Sequence, residues 1–146
     1  MSQHPEHPAA TGPLHGHELA ASLTVRDLEH SFTWYRDALG FTLDRRHERQ
    51  GRLVALSLTA GEVRLLLTQD DGGKGADRVK GEGFSLQLST TQSADALAAR
   101  ARHHGATLDT EPTDMPWGPR IFRLRDPDGF RWTISSTPPA ATGNAT

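Results

Sequence analysis

The tetrapeptide Asp126-Pro127-Asp128-Gly129 does most to restrict what this chain can become, because it forces a tight reversal between two alternating runs. Proline presets φ at the second turn position, the aspartates accept from nearby backbone, and glycine tolerates φ > 0. On the incoming side Phe122 and Leu124 alternate with Arg123 and Arg125; on the outgoing side Trp132 and Ile134 alternate with Arg131, Thr133 and Ser135. This is the pattern of an antiparallel β-hairpin with one apolar and one polar face. The hairpin belongs to a stretch, DMPWGPRIFRLRDPDGFRWTIS, whose opening loop holds Trp117 between Pro116 and Gly118. A tryptophan there is either packed on the core or presented as a stacking surface for a ligand.

The remainder of the chain divides at its glycines. Leu19, Ala21, Leu23 and Val25 alternate with Ala20, Ser22 and Thr24, which predicts a strand. Asp27 is an N-cap for a helix carrying Leu28, Phe32, Tyr35 and Leu39 at helical spacing, with Gly40 as its stop. Trp34 and Tyr35 are read as core or interface. Strand-like runs follow at 41–48, 52–59 and 62–68, separated by Gln50-Gly51 and Ala60-Gly61. Residues 69–83 carry five glycines and mixed charge and read as a solvent-exposed connection without phosphate-loop spacing. Phe84, Leu86 and Leu88 then alternate into a strand, and Ser93 caps a helix with Ala94, Leu97, Ala98 and Ala101, stopped at Gly105. Arg100, Arg102, His103 and His104 read as its solvated side and end. A short strand near 106–110, the Trp117 loop and the hairpin complete the second half.

Composition narrows the partners. In 146 residues, 16 basic side chains are well mixed with 18 acidic ones, giving a net charge of −2 and no basic stripe for nucleic acid. Absence of cysteine excludes a disulfide framework, a thiol nucleophile and a thiolate metal site. Residues 1–17, with three prolines and four histidines, and residues 137–146, with Pro138-Pro139 and small side chains, read as disordered tails. Neither a signal-peptide pattern nor an apolar segment of membrane-spanning length is present, so a cytoplasmic protein without membrane contact is expected. Residues 18–136 form one domain.

Strand, helix and three strands thus occur twice, over about 18–68 and 82–136, as an internal repeat seen in pattern rather than identity. The wording SLTVRDLEHSFTWYRDALGF followed by PWGPRIFRLRDPDGFRWTIS resembles the vicinal-oxygen-chelate superfamily, which includes glyoxalase I, extradiol dioxygenases and bleomycin-resistance proteins. The resemblance implies an α+β fold in which two βαβββ modules form a curved, cup-shaped mixed sheet with helices on the outer side. It also implies ligands on the concave face and a homodimer that contributes both chains to each cup.

Members of that superfamily divide on whether the cup holds a metal, which needs His or carboxylate donors converging on one ion. If the apolar series pack under the helices, the cup receives Ala20, Ser22, Thr24, Ser85, Gln87, Arg123, Arg131, Thr133 and Ser135. Matched to the family, its metal ligands fall on Ala20, about Gly83 and Thr133. Glu18 and Glu62 have cup parity at strand ends and leave an atypical metal site open, and of the histidines His47 alone falls on a strand. The expectation is a cup without metal or other cofactor that binds a small, partly aromatic organic molecule for sequestration or antibiotic resistance. The expected ligand-binding residues are Trp117, Arg123, Arg131, Thr133, Ser22, Gln87 and Arg64, and none is assigned a catalytic role. The alternative is a metal-dependent lyase, isomerase or dioxygenase of the same superfamily. The cup arginines argue against a cationic drug such as bleomycin and suit a planar, carbonyl-rich or anionic aromatic compound, unless they pair with Asp44, Glu48 or Glu62 across strands.

Overall fold

The computed structural model describes residues 12–75 and 77–138. The bulk of the two expected tails, 1–11 and 139–146, lies outside the described residues. Residues 12–20 take no regular structure and are exposed.

The two halves follow the predicted order. In the first module β1 (Ala21–Val25) leads into α1 (Leu28–Trp34), and β2 (Thr42–Arg49), β3 (Arg52–Ala60) and β4 (Val63–Gln69) follow. In the second, β5 (Leu86–Thr90) leads into α2 (Ala94–His103), then β6 (Leu108–Asp114), β7 (Arg120–Arg125) and β8 (Arg131–Ser136). Each module makes its own four-stranded mixed sheet, ordered β1-β4-β3-β2 and β5-β8-β7-β6. In both, the first and last strands pair in parallel, Leu23 opposite Leu67 and Leu88 opposite Ile134. This is the α+β architecture of paired βαβββ units, with the helices outside the open faces of the sheets.

Local chemistry explains the boundaries. Asp27 caps α1 by accepting from the His30 amide at 3.1 Å, and Ser93 caps α2 by accepting from Ala96 at 3.1 Å. Beyond Trp34 the helix widens into a π-helical segment, Tyr35–Leu39, that Gly40 ends at φ 85° with the Phe41 amide closing back on the Tyr35 carbonyl. Gln50 and Gly51 both have positive φ, as a two-residue hairpin between β2 and β3 requires.

Apolar side chains from both modules form one core: Leu23, Val25, Leu56, Leu58, Leu65 and Leu67 from the first sheet, Phe122, Leu124, Trp132 and Ile134 from the second. Alanines 94, 98 and 101 give α2 a small buried face. The modules meet at a polar knot inside this core. The Tyr35 hydroxyl donates to Asp126 at 2.6 Å and accepts from the Trp132 indole at 2.9 Å. Asp126 also accepts from the amides of Asp128 and Phe130, and Asp128 accepts from the Arg26 amide at 2.9 Å. The turn predicted to close a hairpin therefore also fastens the first module to the second. Burial, outweighing the bond from Tyr35, raises the Asp126 carboxyl above its usual range, and burial first, then the Asp126 charge, raises the Tyr35 phenol well above its own.

Several expectations need correction. Leu19 is 97% exposed, since β1 begins only at Ala21, and Ala20 therefore precedes the strand rather than occupying an inward position on it. Phe84 likewise precedes β5 and is exposed, its ring tilted against Phe130. The glycine-rich connection is not wholly in solvent. Lys80 and Gly81 are buried, Lys80 in an ion pair with Asp70. A Cβ on Gly81 would lie 3.0 Å from the Gly129 carbonyl and Phe130, so the connection is seated on the second module's turn. Arg100 does not simply project into solvent, because its guanidinium donates to the carbonyls of Asp37 and Arg36 at 2.9 and 3.2 Å. The strand expected near 106–110 runs on to Asp114, with register shifts around Thr110.

Candidate ligand-binding faces

Strand alternation turns one face of each sheet into the core and leaves the other open and polar. On the second sheet Gln87, Thr133, Arg123 and Thr110 form one row across the four strands, and Arg131 pairs with Arg125 in the row nearest the turn. Arg125 is neutralised by Asp109 at 3.0 Å. Arg123 and Arg131 are exposed and have no ion-pair partner among the described residues. Thr133 is 7% exposed and Gln87 is open. This face presents unneutralised guanidinium beside a hydroxyl and an amide.

The open face of the first sheet differs. Ser22, Leu66, Ser57 and Arg45 form one row, and Thr24, Thr68, Ala55 and His47 the next. The Thr24 and Thr68 hydroxyls are 3.2 Å apart, and His47 Nε2 lies 2.9 Å from the Ser57 hydroxyl. Arg64 also belongs to this face, but Glu18 pairs with it at 3.2 Å. Its partner is therefore none of Asp44, Glu48 and Glu62.

Trp117 is 72% exposed, which disposes of the reading that packs it on the core. Its loop is nonetheless closed: the Met115 amide donates to Pro119 O at 2.8 Å and the Gly118 amide to Met115 O at 3.0 Å. At the loop base Arg120 bridges Asp114 and Asp95, tying the loop to the first turn of α2.

The structure thus groups the expected residues in three places. Gln87, Thr133, Arg123 and Arg131 share one face, Ser22 and Arg64 share another, and no hydrogen bond or ion pair joins the two sets among the described residues. Trp117 stands at the end of β7 opposite Arg131, the length of that strand away, roughly 17 Å at the usual rise per residue.

Among the described residues no three His, Cys, Asp or Glu side chains come together. Glu18 is taken by Arg64, Glu62 lies in the β3–β4 turn, and Gly83 precedes β5 at φ 85°. Sequence reading singled out His47 but not its partner Ser57, nor the Thr24–Thr68 pair. Register shifts at Leu43/Arg45 and at His47/Glu48 break parity along β2 and hid the first pair, while the second follows from β1 lying beside β4.

Residues 16–134 match the family described as the Glyoxalase/Bleomycin resistance protein/Dioxygenase superfamily. The chain belongs to this superfamily. Among solved structures, the glyoxylase/bleomycin resistance protein/dioxygenase domain from Frankia sp. EAN1pec is 26% identical, with a TM-score of 0.68 over 86% of this chain and 93% of that one. TnmS3, an antibiotic binding protein from Streptomyces sp. CB03234, is 23% identical, with a TM-score of 0.66 over 86% and 99%. TioX from Micromonospora sp. ML1 is 21% identical, with a TM-score of 0.66 over 83% and 98%. The latter two share the fold of this superfamily member. No curated protein matches the sequence.

Proposed function

We propose that this superfamily member binds a small, planar aromatic molecule carrying an anionic or carbonyl group, and sequesters it without metal and without chemistry. The observation that carries the reading is the strip on the second sheet, where Arg123 and Arg131 are unneutralised beside Thr133 and Gln87. Guanidinium suits planar oxygen acceptors, and the closed, exposed Trp117 loop supplies an aromatic face at the other end of the strip. The antibiotic-binding neighbour TnmS3 is consistent with this reading. The open face of each sheet is a half-site, so we take the working form to be a homodimer in which a partner's first-sheet face covers the second-sheet face of this chain. Ser22, Arg64 and the His47–Ser57 pair would then be the opposite wall. No helix among the described residues is long and apolar enough to cross a membrane, and the proposed place of action is the cytoplasm.

The test is a panel of planar aromatic natural products, anionic and neutral, titrated into the dialysed protein while tryptophan fluorescence is followed. Saturable quenching with stoichiometric binding is expected. Turnover of a ligand that depends on an added divalent metal would replace this reading with a metal-dependent lyase, isomerase or dioxygenase.

A further inference from the structure

The two modules are built alike but meet unlike. Where the π-helical segment faces the Asp126–Gly129 turn, Tyr35, Phe41 and Trp132 pack their rings edge to face with centroids 5.6 to 6.0 Å apart. The related corner lies where α2 faces the β3–β4 turn. Gly105 there stands where Gly40 does, both with positive φ, and the Ala106 amide closes on the Ala101 carbonyl as the Phe41 amide closes on that of Tyr35, so Ala101 and Ala106 take the places of Tyr35 and Phe41. Trp132, opposite the first residue of β5, has its counterpart in Leu65, opposite the first residue of β1. Aliphatic side chains thus occupy the positions held by three rings.

At this corner lies a cleft of about 740 Å³, walled by Leu39, Val63, Leu88, Leu97, Phe122 and Ile134. That is the size of a small-ligand pocket. None of the residues assigned to the open faces lines it. Its fixed cation is Arg100. Two backbone carbonyls hold the guanidinium through Nε and Nη2, and Nη1 lies over Gly40 without a hydrogen-bond partner among the described residues. Glu62, exposed on the facing turn, also borders the cleft and repels a second negative group on any occupant.

We propose that this cleft is a second binding site, distinct from the open sheet faces, and that it takes a small aromatic monocarboxylate. The ring packs on the apolar wall of Leu88, Leu97 and Phe122, and the carboxylate accepts from Arg100 Nη1. An anchored guanidinium recognises a carboxylate at little cost in side-chain freedom.

The probe pair is 2-naphthoate and its neutral counterpart 2-naphthalenemethanol, titrated calorimetrically into the full chain. The acid should bind about tenfold more tightly than the alcohol, the difference of one charge-assisted hydrogen bond. Arg100→Gln, which keeps a donor for the Asp37 carbonyl, should abolish that preference while leaving the alcohol unchanged. Val63→Trp should block both probes, and Leu97→Trp fills the cleft from the helix side if Val63→Trp does not fold. Trp117→Ala should leave both affinities as they are, which separates this site from the proposed ligand face. The proposal is overturned if the wild-type chain binds neither probe, if the acid keeps its preference in Arg100→Gln, or if Trp117→Ala removes binding. It is equally overturned if Val63→Trp changes sedimentation rather than affinity, for the cleft is then a contact between subunits.

Discussion

The Tyr35 hydroxyl donates to the Asp126 carboxylate at 2.6 Å across the junction of the two modules, and both groups are buried. Ninety-one positions of sequence separate them, so this bond reports on the assembled domain and not on either half. Tyr35→Phe would leave Asp126 short of a donor and the Trp132 indole without its acceptor. A loss of about 1–3 kcal/mol in unfolding free energy is expected from such orphaned polar groups, measured as a lower urea midpoint at unchanged slope. A midpoint equal to that of wild type would mean that water replaces the hydroxyl.

Acid should reveal the Asp70–Lys80 pair. Lys80, donating to it, is the main reason the Asp70 carboxyl is held at about 2 instead of the usual 3.8, with help from the Gly72 amide. A depressed carboxylate contributes stability that is complete above its unfolded value and disappears as pH falls from 3.8 towards about 2. Asp126, raised by burial, has the opposite sign: its contribution is present at low pH and lost as pH rises through its elevated value. Urea midpoints measured across this range should show Asp70→Asn flattening the acid limb. Asp126→Asn should instead remove a decline on the higher-pH side.

Replacing Trp117 by alanine should weaken the aromatic ligand by about 1–3 kcal/mol, as expected for an aromatic anchor. Because the ring is 72% exposed, thermal stability should hardly change. Arg123→Ala and Arg131→Ala should lower affinity for anionic members of the panel more than for neutral ones. If fluorescence quenching is unaltered in Trp117→Phe and no ligand distinguishes the arginine variants, the strip on the second sheet is not the ligand face.

Sedimentation of the protein should give a homodimer, and dialysed, tag-free protein should carry no stoichiometric Zn, Ni, Mn or Fe. One equivalent of metal that is lost on mutating Glu18 or Glu62 would reverse the functional reading. A monomer at micromolar concentration would require each open face to act alone.

Much of the fold was legible because local signals agreed with the global answer. The caps at Asp27 and Ser93, the stops at Gly40 and Gly105 and the Asp126–Gly129 turn all act over a few residues, and alternation along β7 and β8 gave the correct faces. Where reading failed, the cause was distant. Lys80 sits in a segment with the composition of a loop, and its burial depends on Asp70 and the seat offered by Phe130. Leu19 continues an alternating pattern past the point where β1 pairs with β4. The open face of the second sheet was legible as to parity, but the distance between Trp117 and Arg131 follows from which end of β7 each adjoins. Pairing of Arg64 with Glu18 rather than with a cross-strand carboxylate was equally out of reach, since Glu18 lies outside any strand.

The buried ion pair in the connection bears on whether the duplicated unit can be divided. A cut at Gly72-Gly73 would send Asp70 away on one fragment and leave Lys80 on the other, together with the glycine that rests against Phe130. Neither piece would then balance its own charge, and the first would carry Tyr35 without Asp126. Co-expressed fragments should accordingly recover the native structure by finding one another, while each expressed alone should fail to fold, so the repeat serves as a matched pair of half-proteins and not as two interchangeable ones.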